Sequence, residues 1–353
     1  MEKVLMKGNE ALGEAAIKAE CRYFFGYPIT PQSELPEYLS KRMPQVDGVF
    51  LQAESEVAAI NMVYGAAAAG ARVMTSSSSP GISLKSEGIS YIACCELPCV
   101  IVNMMRGGPG LGGIQPSQSD YLQATKGMAH GDFRLIVLAP ASIQELVDLT
   151  MEAFDLADEY RNPVMILGDG MLGQMMEPVE FKERTERKFD KSWTVTGARG
   201  RERNIINSLY LKPEALERHN NRLQEKYRQM EQNLKRSEEY LVEDADIIVV
   251  AFGIASRIAK SAVNRARANG INAGLIRPIS LWPYPYETVA KAADHAKIFL
   301  SVEMNCGQMV EDVRLAVGQK ASVHFYGRSG GMVPTTQEIY EQISQLAICG
   351  GDQ

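Results

Sequence analysis

The 353-residue chain has little tryptophan (two residues), little histidine (four) and six cysteines. The cysteines, at positions 21, 94, 95, 99, 306 and 349, form no C-x-x-C pair, so neither a zinc ribbon nor a ferredoxin-type cluster finds its usual ligand spacing. The histidines at 130, 219, 295 and 324 form no H-E-x-x-H, and a metal site built by this chain alone is not expected. Positive charge is not in excess. With 37 Lys and Arg against 43 Asp and Glu the formal charge is −6, a poor balance for a nucleic-acid binder. No apolar window reaches the roughly 18 residues of a membrane span, and the best, 92–105, is interrupted by Glu96. The first fourteen residues carry Lys3 and Lys7 and no apolar stretch of signal-peptide length, so the expectation is a soluble cytosolic protein. In that reducing compartment the cysteines read as free, half-buried thiols.

What is present is an ordinary globular composition, 45% apolar and 23% charged, long enough for about two domains. The first half alternates helix and strand. Asn9 is placed to cap a helix over 10–19, a strand over 23–25 runs into Gly26-Tyr27-Pro28-Ile29-Thr30-Pro31, and Thr30 or Ser33 opens a helix toward Arg42. A strand over 49–51 leads to an alanine-rich helix over 55–69. A strand over 71–75 empties into four serines, 76–79, followed by Pro80-Gly81 and a helix to Cys95. Strands over 99–104, 135–138 and 164–167 complete the set, with a helix over 142–159. Such alternation implies a parallel α/β sheet, whose ligands sit beyond the carboxyl ends of its strands, here the loops 26–31, 76–81 and 106–114. Residues 182–245 are densely charged and hold a segment, 213–241, that reads as one helix about 43 Å long. Its single apolar stripe, Leu216, Leu223, Tyr227, Met230 and Leu234, packs either on its own chain or on a partner. A second α/β unit fills 246–353.

Three familiar signatures carry no weight here. Gly107-Gly108-Pro109-Gly110-Leu111-Gly112-Gly113 is not a P-loop, its Gly108, Gly110 and Gly113 fall at G-x-G-x-x-G spacing but a lone match of that kind is weak, and the serine run contains no G-x-S-x-G. Gly168-Asp169-Gly170 resembles the start of the Mg-diphosphate signature of thiamine enzymes, but its Asn partners are missing, and a strand-end turn accounts for it better. Three features could carry chemistry. Thr30 puts a hydroxyl in a proline-stiffened loop at a strand end. Glu54 and Glu56 stand at a helix start, where the alternative to catalysis is simple dipole complementation. Arg106 borders the glycine-rich loop, placed either to hold a carboxylate bidentately or to make a structural salt bridge.

Gly8-Asn9-Glu10-Ala11, Gly26 to Pro31, Glu54-Ser55-Glu56, the serine loop with Pro80-Gly81, and Arg106-Gly107-Gly108-Pro109 together resemble the alpha-type subunit of 2-oxoacid:ferredoxin oxidoreductases. Arg277-Pro278, Leu281-Trp282-Pro283 and Glu303-Met304-Asn305-Cys306-Gly307-Gln308-Met309 resemble the second domain of the same family, so the likeness spans nearly the whole chain in order. The loop 107–113 with Gln115-Pro116-Ser117-Gln118-Ser119-Asp120-Tyr121 looks most like the branched-chain, 2-oxoisovalerate members; pyruvate and 2-oxoglutarate are the alternative substrates, and a non-catalytic scaffold subunit is the alternative role.

The resemblance implies a pyrimidine-binding domain of a thiamine-diphosphate enzyme over 1–185, a charged helical linker over 186–245, and a transketolase C-terminal-like α/β domain over 246–353. It implies thiamine diphosphate shared with a companion subunit, Mg²⁺ and Fe–S clusters carried by partner subunits (a gamma-type and a ferredoxin-like one among them), CoA as co-substrate and ferredoxin as acceptor. Glu56 would bond N1′ of the aminopyrimidine and favour its imino tautomer. Thr30 and Arg106 would hold the 2-oxoacid, with Gly107 and Gly108 beside it, and Ser78, Pro80 and Gly81 would line the cofactor with Thr30 and Glu56.

Overall fold

The computed structural model describes residues 3–183, 185 and 187–350, and the side chain of Cys349 lies outside them. The apolar runs Cys99–Met105 and Pro163–Asp169 are buried along their whole length, which demands helices on both faces and places them at the centre of a parallel sheet. That sheet has seven strands, in the spatial order Ser280–Trp282, Ile136–Leu138, Pro163–Asp169, Cys99–Met105, Val73–Ser77, Tyr23–Gly26 and Val49–Gln52. Its pairings are parallel except at one edge, where Ser280–Trp282 runs antiparallel to Ile136–Leu138. A second sheet of five strands is ordered Ser322–Gly327, Ile298–Glu303, Ile247–Val250, Ala273–Pro278 and Ser237–Tyr240, parallel apart from the last. A short antiparallel ribbon joins Val4–Lys7 to Met176–Val179. The expected class, α/β with parallel sheets flanked by helices, is the one observed.

Local predictions fail in two instructive places. The first helix, Gly8–Lys18, has Lys7 at its N-cap, and Asn9 does not cap it. Asn9 is buried inside the first turn and donates to the Pro31 carbonyl and to Glu34 Oε2, both at 2.9 Å, tying the helix to the loop before the next one. Ser55 and Ser142, by contrast, do cap, accepting from the amides of Ala58 and Glu145. The long charged helix spans Pro213–Asn233, not 213–241. Residues Ser237–Tyr240 leave it to become an edge strand against Ala273–Pro278, where Glu238 reaches Arg277 and Lys260. Those ion pairs and the ladder outweigh the local helical preference. Four of the five stripe residues pack on their own chain: Leu223, Tyr227, Met230 and Leu234 are buried, the Tyr227 ring meets Trp282 edge-on at 5.9 Å, and Leu216 is exposed.

The two halves are fastened by backbone-level bonds. Gln118 donates its amide to the Met304 carbonyl (2.9 Å) and accepts from the Met304 amide through Oε1 (3.1 Å). Asn305 donates to the Gln118 carbonyl (2.8 Å), and Gln308 donates to the carbonyl of Ser119 (2.7 Å). Buried Glu303 accepts from the amides of Gln308, Met309 and Val310, so its charge is satisfied by the start of the helix Met309–Val317. Tyr121 and Lys126 both bond Asp312 at 2.6 Å. The Glu303-to-Met309 motif thereby fixes the position of the 115–121 loop.

Candidate active site

Four adjacent strands of the first sheet, Cys99–Met105, Val73–Ser77, Tyr23–Gly26 and Val49–Gln52, end on the same side. Their carboxyl ends deliver Arg106, the serine loop, the Thr30 loop and Glu56 to one region, as the rule for parallel sheets requires.

Glu56 opens the helix Glu56–Ala68 and is only 7% exposed, whereas Glu54, two residues earlier, faces solvent. The two carboxylates thus part company: one is a surface group and the other is enclosed. Gly81 explains how Glu56 fits. A methyl group added at Gly81 would stand 2.8 Å from Glu56 Oε1 and closer still to Ser77 Oγ, so the first turn of the helix Ser79–Cys94 comes up against the carboxylate only because residue 81 has no side chain. Pro80 sits half-buried in that same first turn. The hydroxyls of Ser77 and Ser78 are buried there without a hydrogen-bond partner.

Arg106 is 8% exposed and bridges two loops. Its Nη1 donates to the Thr30 carbonyl (2.9 Å) and its Nη2 to the Leu111 carbonyl (3.2 Å), while Nε is buried and unpartnered. Among the described residues it makes no ion pair, which argues against a structural salt bridge and leaves its charge available to an anion. Thr30 itself is exposed. Gly107 is buried against the Gly330 backbone, contributed by the second half of the chain, and Gly108 is open, with no atom near where a side chain would begin.

Neither Ser79 nor Lys85 has a role assigned from the sequence, and both are tied into this region. Ser79 ties the arginine loop down: its hydroxyl donates to Asp120 Oδ2 (2.6 Å) and accepts from the Arg106 amide (3.1 Å), and its own amide donates to Asn103 Oδ1 (3.1 Å). Burial pushes the Asp120 carboxyl up, against the bonds from Ser79 and Asn103. Lys85 is fully buried one turn beyond Gly81 and donates to Thr75 Oγ1 (2.6 Å) and the Ser76 carbonyl (3.0 Å). A Ser-rich turn and a lysine in a helix look solvated in a sequence; only the crossing of helix and strand buries them. Asp169, at the end of its strand, accepts from the amides of Met171 and Leu172 and caps the helix Gly170–Gln174. The strand-end account of Gly168-Asp169-Gly170 therefore holds.

An aminopyrimidine fits what is present. An enclosed carboxylate stands beside a bare glycine, with two unpartnered serine hydroxyls at its edge. Among the described residues no three of His, Cys, Asp and Glu come together to hold a metal ion. Among them, too, no helix is long and apolar enough to cross a membrane.

This is the arrangement of a thiamine-dependent α/β enzyme, and comparison with known proteins agrees. Residues 14–243 match the family model "Pyruvate flavodoxin/ferredoxin oxidoreductase, thiamine diP-bdg", and residues 245–339 match "Pyruvate:ferredoxin oxidoreductase core domain II". The chain belongs to the 2-oxoacid:ferredoxin oxidoreductase family, as a thiamine-diphosphate-binding subunit. Ketoisovalerate oxidoreductase subunit VorB of Methanothermobacter thermautotrophicus is 54% identical over 348 residues, 98% of this chain and 99% of its own length. The 2-oxoglutarate synthase subunit KorA of the same organism is 36% identical, over 98% of this chain and 99% of its own. Among solved structures, the 2-oxoglutarate:ferredoxin oxidoreductase from Magnetococcus marinus, with 2-oxoglutarate, coenzyme A and succinyl-CoA bound, superposes with a TM-score of 0.87 at 27% identity. That match covers 98% of this chain and 65% of the longer one. A split-gene transketolase, at 15% identity and TM-score 0.60, shares the fold.

Proposed function

We propose that this chain supplies the pyrimidine-activating and substrate-carboxylate groups of an oxidoreductase acting on a branched-chain 2-oxoacid, 2-oxoisovalerate, to give acyl-CoA, CO₂ and reduced ferredoxin. The observation that carries the reading is the enclosed Glu56 carboxylate against Gly81, with Arg106, free of any ion pair among the described residues, three strands away at the same sheet end. Supporting the substrate class is the near-full-length likeness to a ketoisovalerate oxidoreductase subunit.

Thiamine diphosphate, bound between this chain and a companion subunit, supplies a carbanion-stabilising centre for decarboxylation. Glu56 would hydrogen-bond N1′ of the pyrimidine, accepting from N1′–H in the imino tautomer that it favours, and its enclosure would strengthen that bond by excluding water. Gly81, Ser78 and Pro80 would line the pyrimidine beside that carboxylate. Arg106 pairs with the 2-oxoacid carboxylate through the part of its guanidinium that the two loops leave free, and Thr30 offers its hydroxyl to the same ligand. Gly108, open to solvent, leaves room for the acid to approach, with buried Gly107 beside it. Mg²⁺ and the Fe–S clusters belong to partner subunits, gamma-type and ferredoxin-like, CoA takes the acyl group, and ferredoxin takes the electrons. The complex works in the cytoplasm. The chain divides functionally into a pyrimidine-binding part, 1–185, a linker, 186–245, and a docking part, 246–353.

The test is 2-oxoacid-dependent reduction of a viologen dye by the co-expressed complex with CoA, comparing 2-oxoisovalerate, pyruvate and 2-oxoglutarate, for the wild type and Glu56→Gln. The expected result is preference for the branched acid and loss of nearly all turnover in the variant. Preference for another acid keeps the chemistry and refutes the substrate; full activity of Glu56→Gln refutes the role of Glu56; no activity from an intact, thiamine-loaded complex leaves a scaffold.

A further inference from the structure

Asp120 has no place in the mechanism just given, yet its side chain closes a ring of hydrogen bonds where the substrate loop and the cofactor loop meet. Its Oδ2 accepts from the Ser79 hydroxyl (2.6 Å) and from the Asn103 side-chain amide (2.9 Å), and Asn103 Oδ1 accepts from the Ser79 backbone amide (3.1 Å). Asn103 lies on the strand that leads into Arg106, and Ser79 opens the helix that continues through Pro80 to Gly81. The ring therefore fixes the arginine that would hold the 2-oxoacid relative to the glycine that would line the pyrimidine.

A serine hydroxyl has one hydrogen to give. With that hydrogen directed at Asp120, the Ser79 oxygen turns a lone pair to the Arg106 amide, which donates to it at 3.1 Å. Without the carboxylate the hydroxyl is free to turn to the Arg106 carbonyl, 3.3 Å away, and its oxygen loses a fixed orientation toward the amide. The other bonds of Arg106 go to the carbonyls of Thr30 and Leu111, both in exposed residues, whereas Ser79 and Asn103 are buried. Asp120 is in turn held by the second half of the chain. Asn305 bonds the Gln118 carbonyl, and Gln308 bonds the Ser119 carbonyl and, through Oε1, the Leu122 amide (2.9 Å).

We propose that Asp120 is a positioning residue for the 2-oxoacid: through Ser79 it holds the Arg106 backbone in register with Gly81, and so sets the affinity for the substrate carboxylate. The proposal rests on the role of Arg106 given above. At 2.6 Å the hydroxyl-to-carboxylate bond lies in the short range typical of charge-assisted pairs. A merely structural Asp120 would fasten the loops and leave substrate binding unaffected.

The test is steady-state dye reduction against 2-oxoacid concentration by the co-expressed complex, for the wild type, Asp120→Ala, Asp120→Asn, Ser79→Ala, Arg106→Ala and the double variant Asp120→Ala/Arg106→Ala. The expected result for Asp120→Ala is a KM about ten-fold higher, roughly the worth of one hydrogen bond, with kcat within about two-fold. Asp120→Asn keeps an oxygen that can accept both bonds and should recover most of the lost affinity. In the Arg106→Ala background, Asp120→Ala should raise KM no further, because it acts through that arginine. Hydrogen–deuterium exchange over residues 103–108, which reads no activity, should quicken in Asp120→Ala and stay near the wild-type rate in Asp120→Asn. Ser79→Ala removes the link itself and should raise KM alike, which keeps the test decisive if Asp120→Ala fails to assemble. An unchanged KM in Asp120→Ala and Ser79→Ala, an undiminished KM effect in the Arg106→Ala background, or Asp120→Asn as impaired as Asp120→Ala overturns the proposal while leaving the role of Arg106 intact. A wild-type KM in Arg106→Ala sinks that role and this proposal with it.

Discussion

Replacing Gly81 by alanine puts a single methyl group against the Glu56 carboxylate. The new carbon would stand 2.8 Å from Glu56 Oε1, and ordinary carbon–oxygen contacts begin near 3.3 Å, so the carboxylate must retreat by about half an ångström. Ser77 Oγ, nearer still, must swing away too, and it lies in a strand end with no space behind it, since Val73–Ser77 is buried throughout. Overpacking of this size costs about 1–3 kcal/mol of stability. The effect on catalysis is larger than that figure suggests, because a displacement of about 1 Å at a reacting centre costs on the order of 10²-fold in rate. The expected outcome for Gly81→Ala is therefore an assembled complex, a thermal midpoint a few degrees lower, and a kcat in 2-oxoacid-dependent dye reduction down by about 10²-fold at saturating thiamine diphosphate. Gly65→Ala is the matched control. It lies in the exposed middle of the Glu56 helix with no atom near the new methyl, so it should gain about 1 kcal/mol from helix propensity and keep full turnover. A Gly81→Ala complex that is stable and turns over at the wild-type rate would refute the close-approach argument and the assignment of Glu56 with it.

Arg106→Ala should lower kcat/KM for the 2-oxoacid by about 10²–10³-fold, the worth of a charge-assisted bond in an enclosed site, and Arg106→Lys should fall nearly as far because a lysine cannot bridge the Thr30 and Leu111 carbonyls while holding a carboxylate. Steady-state kinetics against 2-oxoacid concentration checks both. Arg72 joins Asp155 at 2.7 Å and Asp158 at 2.8 Å under near-complete burial, so Arg72→Ala should destabilise by about 3 kcal/mol in chemical denaturation, whereas Arg228→Ala, which breaks a surface pair with Glu225, should change stability by less than about 1 kcal/mol. Burial raises the Asp169 carboxyl from 3.8 to about 6, against the amides that bond it. The folded state therefore holds this proton more tightly than the unfolded chain, and the group adds stability as pH falls from about 6 toward 4. Asp169→Asn should remove that slope, seen as the difference between wild-type and variant midpoints across the interval.

The alternation of strands and helices, and the loops that would carry ligands, were legible in the sequence because fully buried strands are continuous apolar runs with turn residues at their ends. Glu56, Arg106 and Thr30 could be picked out, but choosing Glu56 over Glu54 rested on family likeness; the structure adds a physical difference between them, one carboxylate being enclosed and the other wet. Asn9 was misjudged because its amide satisfies a distant carbonyl and a carboxylate, bonds that no local pattern foretells. The stretch 234–241 was misjudged for the same reason: its partners, Arg277 and Lys260, lie far along the chain. Lys85 and Ser79 stayed invisible because burial of a polar side chain is a property of how helix and strand cross.

The strand Ser280–Trp282 closes the outer edge of a sheet whose other members all come from the first 169 residues. Until that segment has left the ribosome, Ile136–Leu138, fully apolar and flanked by nothing on its far side, presents an open ladder of amides and carbonyls to whatever is near. A chain cut between the two family regions, at about residue 244, would carry that exposed edge permanently and should aggregate or recruit a strand from a second molecule. The later half of the chain therefore covers an edge that the earlier half leaves open.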